Sequence, residues 1–233
     1  IEQNHVHDVL QESDDGGLVH ICTNALNATS PALIRQNLLH DAVAFRQDDL
    51  WLRRTGLAAA ANGHGVYLDG FTSHVTVEKN VIRNTRCGAI FIHDGQNNTI
   101  RNNVLLDDRK RQFWQTKSWN NRWDSNVVCW TGEPAELARF RVKEEHGPQR
   151  PELIDRNLYW HGGQPFEVPE VGNYEAWQDA GFDTNSLIAD PQITVLDLPG
   201  RRLEFAPDSP AHRIGFRLID LSLVGILPPN ERR

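Results

Sequence analysis

The sequence predicts an all-β chain folded as a right-handed parallel β-helix with a C-terminal extension that caps it. Three observations carry this: a recurring asparagine motif, its spacing, and the lack of a helical period between residues 65 and 107. The motif is a large apolar residue, two polar residues, Asn, and then an apolar pair. It occurs at Ile1-Glu2-Gln3-Asn4, Ile34-Arg35-Gln36-Asn37 and Val77-Glu78-Lys79-Asn80, and again at Ile100-Arg101-Asn102-Asn103, Trp123-Asp124-Ser125-Asn126 and Ile154-Asp155-Arg156-Asn157. The Asn gaps are 33, 43, 23, 23 and 31, so the basic period is 23 residues and the longer gaps are insertions.

A unit of that length is too short for a core of its own. It suffices for two or three short strands that stack on the next unit at ~4.8 Å. Ile1, Ile34, Val77, Ile100, Trp123 and Ile154 then form an inward column. The Asn column is expected at a turn, where Asn tolerates left-handed backbone angles and can bond its equivalent one coil away.

Residues 1–165 read as the coils. An insertion over 42–64 carries Leu50-Trp51-Leu52-Arg53-Arg54 and the Ala58–Ala61 run, and the polar stretch 131–152 reads as a surface excursion. Residues 166–233 lose the repeat and read as the capping extension. Within it Asn173-Tyr174-Glu175-Ala176-Trp177 predicts a short capped helix. The N-terminal end shows no equivalent cap, so either further coils of the same protein precede Ile1 or something else covers that edge.

Composition narrows the function. The chain has 233 residues, 24 Lys and Arg against 31 Asp and Glu, and a formal net charge of −7. That balance argues against nucleic acid, which needs a basic stripe. No apolar run approaches the ~20 residues of a membrane span. Three Cys without a CxxC pair argue against a disulfide framework or a zinc site. His5 and His7 are spaced i, i+2 on one strand face, but no third ligand is evident, so no metal site is assigned.

The candidate chemistry lies in a second column. Gly17–Ile21, Gly65–Asp69 and Ala89–His93 superpose by period, which puts Asp69 and His93 in neighbouring coils about one ladder step apart. Asp14, Asp15 and Asp94 lie close by in sequence. Two carboxylates across a cleft are the kit for glycoside hydrolysis, and their separation, about 5 Å or about 6.5–9.5 Å, decides the stereochemistry. Asp69-Gly70 and Asp94-Gly95 read equally as turn dipeptides. His7-Asp8 and His40-Asp41 recur at matched positions and read as a structural stack, with the rim of the site as the alternative. Arg109-Lys110-Arg111 reads as a solvated turn that could also meet an acidic sugar. Trp114 and Trp119 are placed in a loop after it, as sugar-stacking or seam-covering aromatics. Asn27-Ala28-Thr29 is a glycosylation sequon by pattern.

The chain resembles a family of bacterial right-handed parallel β-helix proteins, several of which act on plant or algal polysaccharides. The resemblance rests on Asn4-His5-Val6-His7-Asp8, Ser13-Asp14-Asp15-Gly16-Gly17, Tyr67-Leu68-Asp69-Gly70, and His93-Asp94-Gly95 before Ile100-Arg101-Asn102-Asn103. In the tail it rests on Asn157-Leu158-Tyr159-Trp160, Ser186–Pro191, Asp208–Ala211 and Gly215-Phe216. Phe71 and Phe91 depart from the family pattern. The nearest group is a glycoside hydrolase family that includes α-L-fucosidases and xylanases.

Carried over by motif, the resemblance implies Asp14 and Asp69 as the catalytic pair with His93 nearby. Asp15, His20, Asp94, Trp114 and Trp119 are the expected substrate contacts. The alternatives are a polysaccharide lyase or uronate epimerase, and a non-catalytic glycan-binding or structural β-helix. No cofactor is expected, with calcium entering only under the lyase reading. The expected partner is a polysaccharide or oligosaccharide, and the expected location is secreted or periplasmic.

Overall fold

The computed structural model describes residues 1–11, 13, 15–23, 31–42, 44, 62–132, 136–141, 153–168 and 171–225. The chain winds as a right-handed parallel β-helix. The first coil is β1 (His5–Val9), β2 (Gly16–Cys22) and β3 (Ala32–Arg35). The second is β4 (Leu38–Ala42), β5 (Gly63–Asp69) and β6 (Val75–Glu78). The third is β7 (Val81–Thr85), β8 (Gly88–His93) and β9 (Thr99–Arg101). The fourth is β10 (Val104–Leu106), β11 (Arg111–Thr116) and β12 (Arg122–Asp124). The fifth is β13 (Val127–Cys129), β14 (Glu136–Arg141) and β15 (Leu153–Asp155), followed by β16 (Leu158–Trp160) and β17 (Glu167–Val168).

Equivalent strands pair in parallel, giving three sheets: β1-β4-β7-β10-β13-β16 (sheet 1), β2-β5-β8-β11-β14-β17 (sheet 2) and β3-β6-β9-β12-β15 (sheet 3). Glu136–Arg141 lies inside the stretch read as a surface excursion, yet it is a strand of sheet 2 with Leu137 and Ala138 fully buried. The rest of that stretch, most of the 42–64 insertion, and the Asn27 sequon lie outside the described residues.

The inward column is continuous. Ile34, Val77, Ile100, Trp123 and Ile154 stand in register in sheet 3 and are all buried. Ile1 heads the column but is 53% exposed, because no described strand lies beyond the first coil. The Asn ladder is also continuous. Each Nδ2 donates to the Oδ1 one coil on: Asn4 to Asn37 at 3.0 Å, Asn37 to Asn80 at 2.8 Å, and Asn80, Asn103 and Asn126 each to the next at 3.0 Å. The ladder Asn are not themselves the left-handed residues. Positive φ falls on the residue before each, at Gln36 (53°), Lys79 (54°), Asn102 (52°), Ser125 (57°) and Arg156 (54°). The corner thus divides its tasks: one residue takes the strained backbone, and the buried Asn beside it supplies the bonds.

The tail continues with β18 (Gly172–Asn173), antiparallel to β17, then helix α1 (Tyr174–Asp179) and β19 (Leu187–Ile188), which joins sheet 1 beside β16. The predicted helix is present, and Asn173 caps it by accepting from Ala176 N–H at 2.9 Å. Trp177 packs into the end of the core. The hairpin β20 (Ile193–Asp197) and β21 (Arg202–Phe205) and the residues to 225 then run back along the outside of sheet 1. That face needs cover because Leu38, Val81, Val104, Val127 and Leu158, each just after a ladder Asn, point outward and are apolar. Gly225 N–H reaches Gln3 O at 2.8 Å, back at the first coil.

Candidate functional site

Among the described residues the tail packs on sheet 1, and the outer face of sheet 2 carries the candidate chemistry. Period-2 alternation buries Val66, Leu68, Ile90, Ile92 and Phe113 and turns Tyr67, Asp69, Phe91, His93, Trp114 and Thr116 outward. Two columns result. One is aromatic: His20, Tyr67, Phe91, Trp114 and Arg139 share a register. The ring centroids are 4.4 Å apart for His20–Tyr67, 4.7 Å for Tyr67–Phe91 and 4.1 Å for Phe91–Trp114, all stacked. Trp114 is therefore a strand residue, not a loop residue. Trp119 does lie beyond the strand, at the corner opposite Gln96, and is 37% exposed.

The second column is polar. Asp69 Oδ1 accepts from His93 Nδ1 at 2.8 Å and from Gly70 N–H at 2.8 Å, and its Oδ2 lies 3.6 Å from His20 Nε2. Burial works against ionising Asp69, but the His93 and Gly70 hydrogen bonds and the neighbouring imidazoles outweigh it, so its carboxyl is held below the usual aspartate range. Burial, and then the charges of Asp15 and Asp69, push the Tyr67 phenol far up and keep it neutral. Asp94 Oδ2 stands 3.4 Å from His93 Nε2, on the side away from Asp69.

Lys117 was missed by sequence reasoning, which looked for cations only in Arg109-Lys110-Arg111. Its Nζ lies 3.4 Å from His93 Nε2 and 3.8 Å from Asp94 Oδ2. Gly70, Asp94 and Lys117 occupy equivalent corner positions with φ of 54°, 60° and 51°. The signal was the period itself, since 94 plus 23 is 117. The cations considered instead sit elsewhere. Arg109 bonds Asn84, and Arg111 is 1% exposed, paired with Glu136 at 3.0 Å and stacked over Trp114. Sequence reasoning also passed over His64, fully buried beneath the aromatic column and 4.8 Å from Phe91, where burial pushes its pKa down to about 3.

Of the sequence-predicted residues, Asp69, His93, His20 and Asp94 come together. Asp15 is exposed, and its charge reaches Tyr67. Asp14 lies outside the described residues. His7 and His40 stack with centroids 5.0 Å apart, but on sheet 1, away from this face. Among the described residues, no group of three or more His, Cys, Asp or Glu is placed to hold a metal ion, and no helix is long and apolar enough to cross a membrane.

What the arrangement can do follows from the imidazole. With Nδ1–H committed to Asp69, the lone pair of His93 is on Nε2, facing the open side beside an ammonium group. That is a base with an adjacent cation. Residues 55–128, from the last part of the 42–64 insertion through the third and fourth coils, match the family described as "Right handed beta helix region". A solved structure of a double mutant of the periplasmic alginate epimerase AlgG is similar at 13% identity, with a TM-score of 0.46. The match covers 81% of this chain and 38% of that one, so this chain spans well under half of that protein's length. No curated protein matches the chain.

Proposed function

We propose that the outer face of sheet 2 is the active surface of a carbohydrate-active enzyme that works on uronate-containing polysaccharide by removing the C5 proton, as a lyase or epimerase does. The observation that carries this reading is the Lys117 ammonium 3.4 Å from His93 Nε2, the ring nitrogen that does not face Asp69. A C5–H next to a carboxylate is acidic only if the charge that develops on that carboxylate is neutralised. Lys117 supplies the cation, and His93 Nε2 accepts the proton. Asp69 fixes the tautomer and stabilises the imidazolium that forms. The resulting enolate either expels the 4-O-glycosidic oxygen, leaving a C4–C5 double bond, or takes a proton back on the opposite face with inversion at C5. The aromatic column, its rings stacked on one another and Tyr67 and Phe91 buried, forms a stiff wall beside the polar column. A polymeric substrate of this kind places the protein outside the cytoplasm.

Glycoside hydrolysis is the second reading. It is favoured by Asp69 and Asp94 flanking opposite nitrogens of His93. It requires one carboxyl to be protonated before the reaction, and Asp69, held ionised, suits the orienting role better.

The test is a panel of uronate and neutral polysaccharides, followed in deuterium oxide by ultraviolet absorbance, reducing-end release and nuclear magnetic resonance. Unsaturated ends or deuterium at C5, lost in Lys117→Gln, support the reading. Reducing ends from neutral glycans without unsaturation overturn it in favour of hydrolysis.

A further inference from the structure

At the free end of sheet 1, three imidazoles stand together on the outer face of β1 and β4. The ring centroids of His5 and His7 are 4.8 Å apart, those of His5 and His40 5.0 Å, and those of His7 and His40 5.0 Å with only 5° between the planes. The i, i+2 pair on β1 thus has the third member that the sequence did not reveal: His7 pairs in register with His40 across the strands.

Two details set this group apart from an ordinary stack. First, His7 Nδ1 and His40 Nδ1 are each held at 2.6 Å by the carboxylate of the following Asp, Asp8 and Asp41. Asp41 is itself fixed by the Asn84 amide. A carboxylate on Nδ1 leaves the lone pair on Nε2, raises its basicity and fixes the ring, as in the second coordination sphere of metal-bound histidine. Second, His5 Nε2 and His40 Nε2 are 2.8 Å apart. As they stand the two nitrogens share one proton. Two imidazole nitrogens held about 2.0 Å from one ion at a right angle are about 2.9 Å apart, which is the spacing of neighbouring ligands in a tetragonal site. A small turn of both rings and a shift of the shared proton to His5 Nδ1 would point both lone pairs at one cation, with no net proton lost.

We infer that His5 and His40 form a two-imidazole binding site for a tetragonal divalent cation, Cu²⁺ above all, that staples β1 to β4. Water fills the remaining positions, and His7 stands one ladder step away. Asp8 and Asp41 offset the cation's charge; of the neighbouring cations, Arg201 acts on His5 and donates to Val224 O at 2.7 Å, and Arg83, in register with His40, stands 3.8 Å from Asp107. The His7 side chain is 48% exposed, so an ion can enter from that side. The staple would tie β1 to β4, its one strand partner among the described residues.

The test is independent of the sugar chemistry. Cu²⁺, Ni²⁺ and Zn²⁺ are titrated into the whole chain by calorimetry and by thermal unfolding, with Mg²⁺ and Ca²⁺ as controls. One Cu²⁺ per chain is expected, with a raised Tm, nitrogen hyperfine structure from two imidazoles in its electron paramagnetic resonance spectrum, and the order Cu²⁺ over Ni²⁺ and Zn²⁺. His5→Gln and His40→Gln, checked for fold by circular dichroism, each weaken binding at least 10-fold. Asp41→Asn weakens it about 10-fold, and His93→Gln leaves it unchanged. Wild-type stoichiometry and affinity in both His5→Gln and His40→Gln would overturn the proposal, as would a wild type that binds no Cu²⁺. If one variant does not fold, the other decides.

Discussion

Asp69 holds His93 by one carboxylate oxygen, Oδ1 to Nδ1 at 2.8 Å, and faces His20 with the other at 3.6 Å. The two histidines come from coils on either side of the Asp69 coil, so one half-buried carboxylate organises three turns of the solenoid. The sequence register placed Asp69 and His93 together. It did not distinguish a carboxylate that reacts from one that orients, because that depends on which atom of His93 it meets.

Asp69→Asn should separate those roles. The amide oxygen can still accept from Gly70 N–H and His93, but the charge that stabilises a protonated His93 is gone. Turnover on the active glycan should fall by about 10²–10⁴-fold. The acid side of the stability profile should change too. The folded pKa of Asp69 is depressed, so its contribution to stability is present above the unfolded aspartate value and is lost as pH falls through the folded one. The variant should lack that part of the acid-side loss, as read by denaturant unfolding at stepped pH.

Lys117→Gln should lower turnover on uronate substrates by about 10²–10³-fold, the usual cost of removing one donor to a developing anion. Lys117→Arg should recover part of it. The Lys117 side chain is about a third exposed and its pair with Asp94 is long, at 3.8 Å, so the Tm of both variants should stay near that of the wild type. An unchanged rate in Lys117→Gln would remove the cation from the mechanism.

The repeat made much of this legible. Two Asn gaps of 23 residues fixed the period, and the inward column from Ile34 to Ile154 followed from it. Lys117 follows from the same period but was hidden by the more conspicuous Arg109-Lys110-Arg111 run. The return of the tail along sheet 1 was less accessible. Each ladder Asn after Asn4 is followed by two apolar residues, as in Val81-Ile82 and Val104-Leu105, and no local pattern states that the first of each pair faces out and needs a partner. A second Asn pair was also missed: Asn98 and Asn121, again 23 apart, where Asn98 N–H donates to Asn121 Oδ1 at 2.8 Å.

The ladder should be stiff in the middle and weak at its free end. Asn103 Oδ1 accepts from Asn80 N–H and Nδ2, and its own Nδ2 donates to Val77 O and Asn126 Oδ1, all in buried surroundings. Asn103→Ala leaves those partners unpaired in the core and should cost about 3 kcal/mol. Asn4→Ala removes only exposed or half-buried bonds at the edge, to Glu2 O and Asn37 Oδ1, and should cost under about 1 kcal/mol. Urea unfolding of both variants measures the difference. Equal costs would mean that the ladder does not act as a cooperative buried network.

Asp108 should reverse the pH trend seen at Asp69. It sits fully inside the coil with Oδ1 accepting from Thr85 N–H at 2.9 Å and Thr85 Oγ1–H at 2.6 Å, while Oδ2 has no hydrogen-bond partner among the described residues. Burial drives its pKa well above the aspartate value, the Thr85 bonds oppose that, and the charge of Asp107 adds to it. An acid whose folded pKa is raised favours the folded state while protonated. Its contribution is complete below the unfolded value of 3.8 and is lost as pH rises through the folded value. Asp108→Asn keeps an oxygen for Thr85 and removes the charge. The variant should therefore be more stable than the wild type at alkaline pH, with the gap closing as pH is lowered toward the unfolded aspartate value. Denaturant unfolding at acid and alkaline pH gives the comparison. A gap that stays constant with pH would show that Asp108 does not titrate between the two states, and that Thr85 holds it ionised in spite of its burial.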